Sequence, residues 1–451
     1  MEQVLKSAIA DLVADYAEVR IERAESTALS YMGPELEQIG TSFTLVGCVR
    51  VCIRGGWGFA SFTHIEDVPA SAQAAARMAE LCARDRTRLA PVEPVIASVR
   101  DEVGIDPVNV PVEDKHSLLK RYNDMMLAEP GIVTTTAHYH DSKKDLWLHT
   151  SEGTLIHQEK TRAGVSIMAV AKEGPNIQRG HRSFGDTRGY GTVLNRESDV
   201  ADVVRITRDL IRAPKVSGGL STVILDPQLA GVFCHEAFGH LSESDFVYEN
   251  PQAREMMKLG RRFGPDFLNI IDSGILSGEN GYVAYDDEGV PGGKTHLIQN
   301  GLLVGRLHSR ETAVIMEESP TGNARAISAL HQPIVRMTTT YIDRGETPFE
   351  DMLSSEGDGI YACGFLGGNT DLERFTFSSA YAYRIENGSI TTPLRDVILS
   401  GNVFETMKNI TAIGDDLTLF GGLGGCGKGG QGPLPVSDGS PHICIKNVLV
   451  G

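Results

Sequence analysis

The sequence holds no apolar run of membrane-spanning length, which excludes a helical membrane anchor. It also lacks the charged-then-apolar opening of a secretory leader. Met1-Glu2-Gln3-Val4-Leu5-Lys6 reads instead as the start of an amphipathic helix. Basic residues are in deficit, 42 against 59 acidic, for a net charge of −17. Such a chain repels nucleic acid and anionic lipid, so neither is an expected partner. Cysteines are few: Cys48, Cys52, Cys82, Cys234, Cys363, Cys426 and Cys444 are odd in number, scattered and without a C-x-x-C pair. That pattern excludes a disulfide framework and suits a reducing cytoplasm.

What remains is ordinary for a globular protein, 41% hydrophobic and 22% charged, with 451 residues allowing two or three domains. Periodicity predicts a helix over Glu2–Tyr16, a strand at residues 17–23 with Val19 and Ile21 inward, and strands near Leu29–Met32 and Ser42–Ile53. Arg54–Gly58 reads as a hairpin turn and Pro69–Arg84 as an alanine-rich helix. Leu89–Pro111 reads as a connector and Val112–Leu127 as a second helix. Strands follow at Ile132–His140, Leu146–Ser151, Thr154–Lys160 and Ala163–Ala171, with turns at Asp141–Asp145 and Glu152-Gly153, then a helix near Asp199–Arg212. The two blocks share an element order. The expected fold class is α+β: an N-terminal segment (1–87) and a central segment (88–215), mixed α/β with antiparallel sheet, and a β-rich C-terminal domain (216–451) carrying a metal-site helix. Segments 1–87 and 88–215 can equally form one domain.

The chemistry concentrates in Cys234-His235-Glu236-Ala237-Phe238-Gly239-His240. Two histidines can ligate a divalent metal, and a glutamate beside the first can act as a base on a metal-bound water. The common peptidase form is H-E-x-x-H; here one residue is added. At about 100° per residue, ligands at i and i+5 sit roughly 140° apart, so a straight α-helix cannot aim both at one ion. Either the helix carries a π-type turn, or it ends between the histidines, with Gly239 placed to close it in a left-handed conformation. The helix start is sharp: the strand Val223-Ile224-Leu225 precedes an Asp226 N-cap and Pro227 at the first helical position.

A catalytic zinc usually takes three protein ligands. The best third candidate is Cys426, set among the glycines of Gly421–Gly430, with Glu243 or Asp245 as the alternative oxygen ligand. Other features carry less. Gly422–Lys428 fits a phosphate-binding loop, but Gly429 stands where a magnesium-binding hydroxyl belongs. His138-Tyr139-His140 reads as strand surface. Asp286-Asp287-Glu288-Gly289 lacks EF-hand spacing and reads as a turn, or else as a wall of the active cavity.

Taken together, the His-Glu-Ala-Phe-Gly-His motif, the Asp286–Gly289 turn with Pro291-Gly292, Thr321-Gly322-Asn323 with Arg325, Ala380-Tyr381 before Ile385–Gly388, and Cys426-Gly427-Lys428-x-Gly430-Gln431 resemble the TldD/PmbA family. The resemblance covers essentially the whole chain and is most specific between Thr222 and Pro433. It implies the TldD-type, catalytic subunit, a zinc-dependent peptidase acting on unfolded or modified peptides inside a dimer cavity. It implies His235, His240 and Cys426 as metal ligands and Glu236 as the catalytic carboxylate. The dimer is either a homodimer or a heterodimer with a PmbA (TldE)-type subunit. A different class of function, a non-catalytic binding or maturation partner with a vestigial metal site, is the alternative.

Overall fold

The computed structural model describes residues 1–83, 88–371 and 373–451. The boundary expected at residue 87, and Arg84 at the end of the expected alanine-rich helix, lie outside the described residues. The chain is mixed α+β throughout.

Elements of the first half are helix α1 (Glu2–Ile9), strands β1 (Tyr16–Met32), β2 (Glu35–Ile53) and β3 (Gly56–Phe62), helix α2 (Val68–Leu81), strand β4 (Ile96–Arg100), helix α3 (Val112–Leu127), strands β5 (Ile132–Thr150), β6 (Leu155–Glu173) and β7 (Asn176–Asp186), and helix α4 (Glu197–Arg212). They build one seven-stranded sheet, ordered β3-β2-β1-β5-β6-β4, with β7 also pairing β6. Two helix-meander-helix units thus meet at the β1–β5 ladder. The repeated element order read from the sequence is present in space.

Several strands are longer than expected. The polar run Asp141–Asp145 is not a turn but the middle of β5, paired with β1 on one side and β6 on the other. Ion pairs hold it extended: Asp141 with Lys115 at 2.6 Å, Lys143 with Asp106 at 2.7 Å, Lys144 with Glu22 at 2.9 Å and Asp145 with Arg23 at 2.6 Å. The expected connector at Leu89–Pro111 contains β4, which adds in parallel to Leu155–Glu159. Helix α1 stops at Ile9 because the chain from Tyr16 onward is taken into β1. Arg54 and Gly55, both at positive φ, make the two-residue turn between β2 and β3. The alanines of α2 allow close packing on β3. A Cβ at Gly58 would lie 1.8 Å from the Ala75 carbonyl oxygen.

The two faces of the sheet differ. Val19, Ile21 and Leu29 of β1 pack into apolar clusters with the helices. The alternate residues Glu18, Arg20 and Glu22 are also buried, although their alternation suggests solvent. The C-terminal half covers them. Arg50 meets Glu288 at 2.7 Å, Arg20 meets Asp287 at 3.4 Å, and Arg310 holds Glu152 through two bonds of 2.7 and 2.8 Å.

The second half is strand-rich, as expected. Strand β8 (Gly219–Leu225) lies between Gly359–Asp371 and Ile443–Val450. The latter pairs Ile398–Asn402, which pairs Arg374–Glu386, which returns to Gly359–Asp371. The ladder therefore closes on itself as a five-stranded ring. A separate six-stranded sheet runs 302–303, 294–299, 270–273, 339–342, 437–440, 418–420. Among the described residues, no helix is long and apolar enough to cross a membrane, which says nothing of β-barrels.

Candidate metal centre

Helix α5 (Pro227–Cys234) lies between the closed ring and the six-stranded sheet, and both ends of it are fixed. At the start, the Asp226 carboxylate accepts from the Leu229 amide at 2.8 Å and from the Gly364 amide of a neighbouring ring strand at 3.0 Å. Leu229, Phe233 and Cys234 are buried in the main apolar core. Gly231 lets the helix touch the strand Ser437–Ser440, where a Cβ would sit 2.7 Å from the Gly439 Cα.

After Cys234 the helix widens into a π-type turn over His235–Gly239, then tightens into a 3₁₀ turn over His240–Ser242. Each residue of a π turn advances less about the axis than in an α-helix, so five steps bring His240 back to the face of His235. Of the two geometries allowed by the spacing, the π turn is the one found. Gly239 is not a left-handed cap: its φ of −56° is helical. Its role is close approach, since a Cβ there would lie 2.1 Å from the Met337 Sδ.

Cys426 arrives from a short hairpin, Cys426–Lys428 paired with Gln431–Leu434, turned by Gly429 and Gly430 at positive φ. This is strand, not a phosphate-binding loop into a helix. The Cys426 Sγ lies 3.4 Å from the His240 Nε2. Nitrogen and sulfur donors on one tetrahedral zinc stand about 3.5 Å apart, given Zn–N near 2.0 and Zn–S near 2.3 Å. Donor atoms of His235, His240 and Cys426 all fall within 4.8 Å of one another, close enough to converge on one ion. The two imidazoles are nearly perpendicular, with centroids 5.2 Å apart. The His235 Nδ1 is buried and has no hydrogen-bond partner among the described residues. Burial, with the neighbouring His240 and Arg336 adding to it, pushes His235 down to about 3, so the ring stays neutral as a ligand must. Two nitrogens and a thiol, one nitrogen without a partner and all largely sheltered, fit a zinc-type ion.

Glu236 stands beside the donors, one carboxylate oxygen 4.0 Å from the His240 Nε2. Burial raises its carboxyl; His240 opposes the shift and Glu243 adds to it.

Three residues complete the surroundings. Glu243 accepts from the His240 Nδ1 at 2.9 Å, which points the Nε2 at Cys426. It therefore orients a donor rather than supplying one. Lys428 reaches Glu243 at 3.1 Å and Asp245 at 2.6 Å, and donates to the Val335 carbonyl at 2.7 Å. Asp438, on the strand under α5, is pushed up to about 7 by burial and then by Glu236. Without metal, burial opposes charge on His240, but Cys426 and Glu243 outweigh it and raise the ring to about 10. Glu243 carries a local sequence signal, three residues after a histidine. Lys428 stands two residues after Cys426 in the motif quoted above, whereas Asp438 comes from a distant strand with no motif of its own.

The remaining sequence features take structural places. His138–His140 lie within β5, and Cys48 and Cys52 are buried in β2. Asp286 forms a turn, accepting from the amides of Glu288, Val290 and Ala324 at 2.9–3.0 Å. Asp286 and Asp287 also line a cleft between the halves, which the metal-site residues do not line.

Comparison with known proteins shows the family and the fold. Profiles of the PmbA/TldA metallopeptidase family match in three parts: domain 1 at residues 17–83, the central domain at 105–213 and the C-terminal domain at 218–451. A metalloprotease of Synechocystis sp. is 44% identical over 440 residues, covering 97% of this chain and 95% of that one. The protein named zinc metalloprotease TldD homolog of Saccharolobus solfataricus is 31% identical, covering 75% of each chain. In fold, the crystal structure of TldE from Thermococcus kodakarensis superposes with a TM-score of 0.83 at 17% identity, covering 100% of this chain and 99% of that one. The chain belongs to the TldD/PmbA family of metallopeptidases.

Proposed function

We propose that this chain is the catalytic, TldD-type subunit of its family. In this reading it hydrolyses unfolded or modified peptides with zinc held by His235, His240 and Cys426. The observation that carries the reading is the meeting of these three donors, from a π turn and a hairpin about 190 residues apart, beside an accessible edge of Glu236. Zinc, when bound, lowers the pKa of water and polarises a carbonyl.

The residues around it have separable tasks. Burial keeps His235 neutral. Glu243 fixes the His240 ring through its Nδ1, and Lys428 balances the charge of Glu243. Glu236 takes the proton of the attacking water, a role its raised carboxyl suits, and passes it to the leaving amine. Water thereby adds across the amide to give a carboxylate and an amine. A dimer, with a second copy or with a TldE-type subunit, encloses the peptide. Cytoplasmic residence is supported by the seven free thiols.

The test is Glu236→Gln. The variant is expected to retain zinc at wild-type stoichiometry and to lose cleavage of an unstructured peptide by a factor of about 100 or more. Cleavage at the wild-type rate would remove Glu236 from the mechanism.

A further inference from the structure

The face of the N-terminal sheet that turns toward the C-terminal half carries more positive charge than it neutralises. Lys144 of β5 stands directly opposite Lys160 of β6, and Arg162 follows on the same face. Like charges set opposite each other across a ladder are destabilising. In a chain of net charge −17 the arrangement calls for a cause. With Arg20 and Arg325 these side chains line the cleft between the halves.

The carboxylates of the cleft are already engaged. Glu22 pairs with Lys144 at 2.9 Å, and Asp287 with Arg20 at 3.4 Å and the Ala326 amide at 2.7 Å. Asp101 accepts from the Thr161 amide at 2.8 Å, and Asp286 from the three amides named above. Three cations are left over. Lys160 makes no hydrogen bond or ion pair among the described residues. Among the described residues, Arg162 donates only to the carbonyls of Gly422 and Gly424, and its Nε is buried without a partner. Arg325, 8% exposed, donates among the described residues only to the carbonyls of Met337 and Pro435. Burial lowers all three; Arg325 adds to the effect on Lys160 and Arg162, and Arg336 to that on Arg325. Asp287 acts across space on Lys160 and Arg325, with Asp101 adding at the first and Asp272 at the second, but no carboxylate bonds any of the three directly among the described residues. Partly or fully buried cations without a bonded counter-ion are costly, and an arriving anion relieves the cost.

This cleft adjoins the metal centre. Leu434, in its wall, is the ladder partner of Cys426. Arg162 holds the loop that leads into Cys426. Met337, whose carbonyl Arg325 holds, is the residue against which Gly239 packs.

We infer that the cleft is a carboxylate-binding subsite for the peptide, with Lys160, Arg162 and Arg325 as its donors. The carboxylate is either the peptide C-terminus or an Asp or Glu side chain. That the ligand is a peptide rests on the function proposed above; the excess of cations does not.

The experiment uses zinc-loaded protein carrying Glu236→Gln and three fluorescent peptides of one neutral sequence: the free C-terminal acid, the C-terminal amide, and the amide with one internal Glu. Anisotropy titration is expected to show at least one carboxylate peptide binding about tenfold or more tighter than the plain amide. Tight binding of the acid alone assigns the terminus, and tight binding of the Glu-containing amide assigns the side chain. Adding Lys160→Met is expected to erase most of the difference, leaving the affinity of the plain amide and the zinc content unchanged. Equal affinity for all three peptides, no binding of any, or an advantage that survives Lys160→Met overturns the subsite. Cleavage by the unsubstituted enzyme is measured in parallel. Cleavage without carboxylate discrimination sinks the subsite alone, and discrimination without zinc or cleavage sinks the hydrolase reading alone.

Discussion

Gly239→Ala separates two reasons for a glycine inside a metal-binding turn. If the glycine served a left-handed cap, alanine would be strained by its own backbone. Here φ and ψ are −56° and −52°, fully helical, so the backbone favours alanine by about 1 kcal/mol. The penalty comes from elsewhere: the new Cβ would lie 2.1 Å from the Met337 Sδ, in a side chain with 0% exposure. Overpacking of this kind costs about 1–3 kcal/mol, and the sulfur sits near the end of a flexible chain, which favours the lower half of that range. The net expectation is a loss of up to about 1 kcal/mol, read by urea denaturation. The sign is expected to reverse against Met337→Ala. That background loses stability by about 2–5 kcal/mol through its cavity, but within it Gly239→Ala should gain about 0.5–1 kcal/mol. A loss of similar size in both backgrounds would refute the steric account and return the glycine to a conformational role.

Two further perturbations test the surroundings of the centre. Glu243→Gln leaves every donor in place but weakens the bond that orients His240. Zinc affinity by competition with a chromophoric chelator is expected to fall by about 10- to 100-fold, and an unchanged affinity would show that Glu243 does not set the ring. Asp226 is pushed up to about 6 by burial, against the pull of the Leu229 and Gly364 amides, whereas unfolded aspartate titrates near 4. Its folded value is the higher, so the stability it contributes is fully present below about pH 4 and is lost as pH rises through 6. Asp226→Asn cannot ionise yet still caps. Its stability relative to the unsubstituted protein should therefore rise by about 2 kcal/mol between pH 4 and 7, and a pH-independent difference would contradict the shift.

The motif around His235 is legible because its residue types and spacing are local. The spacing even narrows the backbone to two geometries, and packing against Met337 decides between them. Cys426 is legible because its glycine-rich setting leaves a thiol little packing role. The parts played by Lys428 and Asp438 are not, because nothing local shows that this lysine will reach Glu243 or that this aspartate will lie near Glu236. The same limit explains the misread stretch Asp141–Asp145. Four charges in five residues look like a turn until Lys115, Asp106, Glu22 and Arg23 arrive from other elements to pair them. Long strands are under-read wherever tertiary charge pairing, rather than apolar alternation, sustains them.

The salt bridges that join the sheet to the strand-rich half bear on how the protein can be dissected. Glu288, 3% exposed, and Arg310, 0% exposed, each have their partners across that junction. Separating the chain near residue 216 would take Glu288 and Arg310 from their partners and open to water a charged face that is now paired across the junction. A truncated half bearing only the histidines and the thiol would therefore be a poor surrogate for the intact molecule, and any loss of activity in it would speak first about solvation of orphaned charge rather than about chemistry.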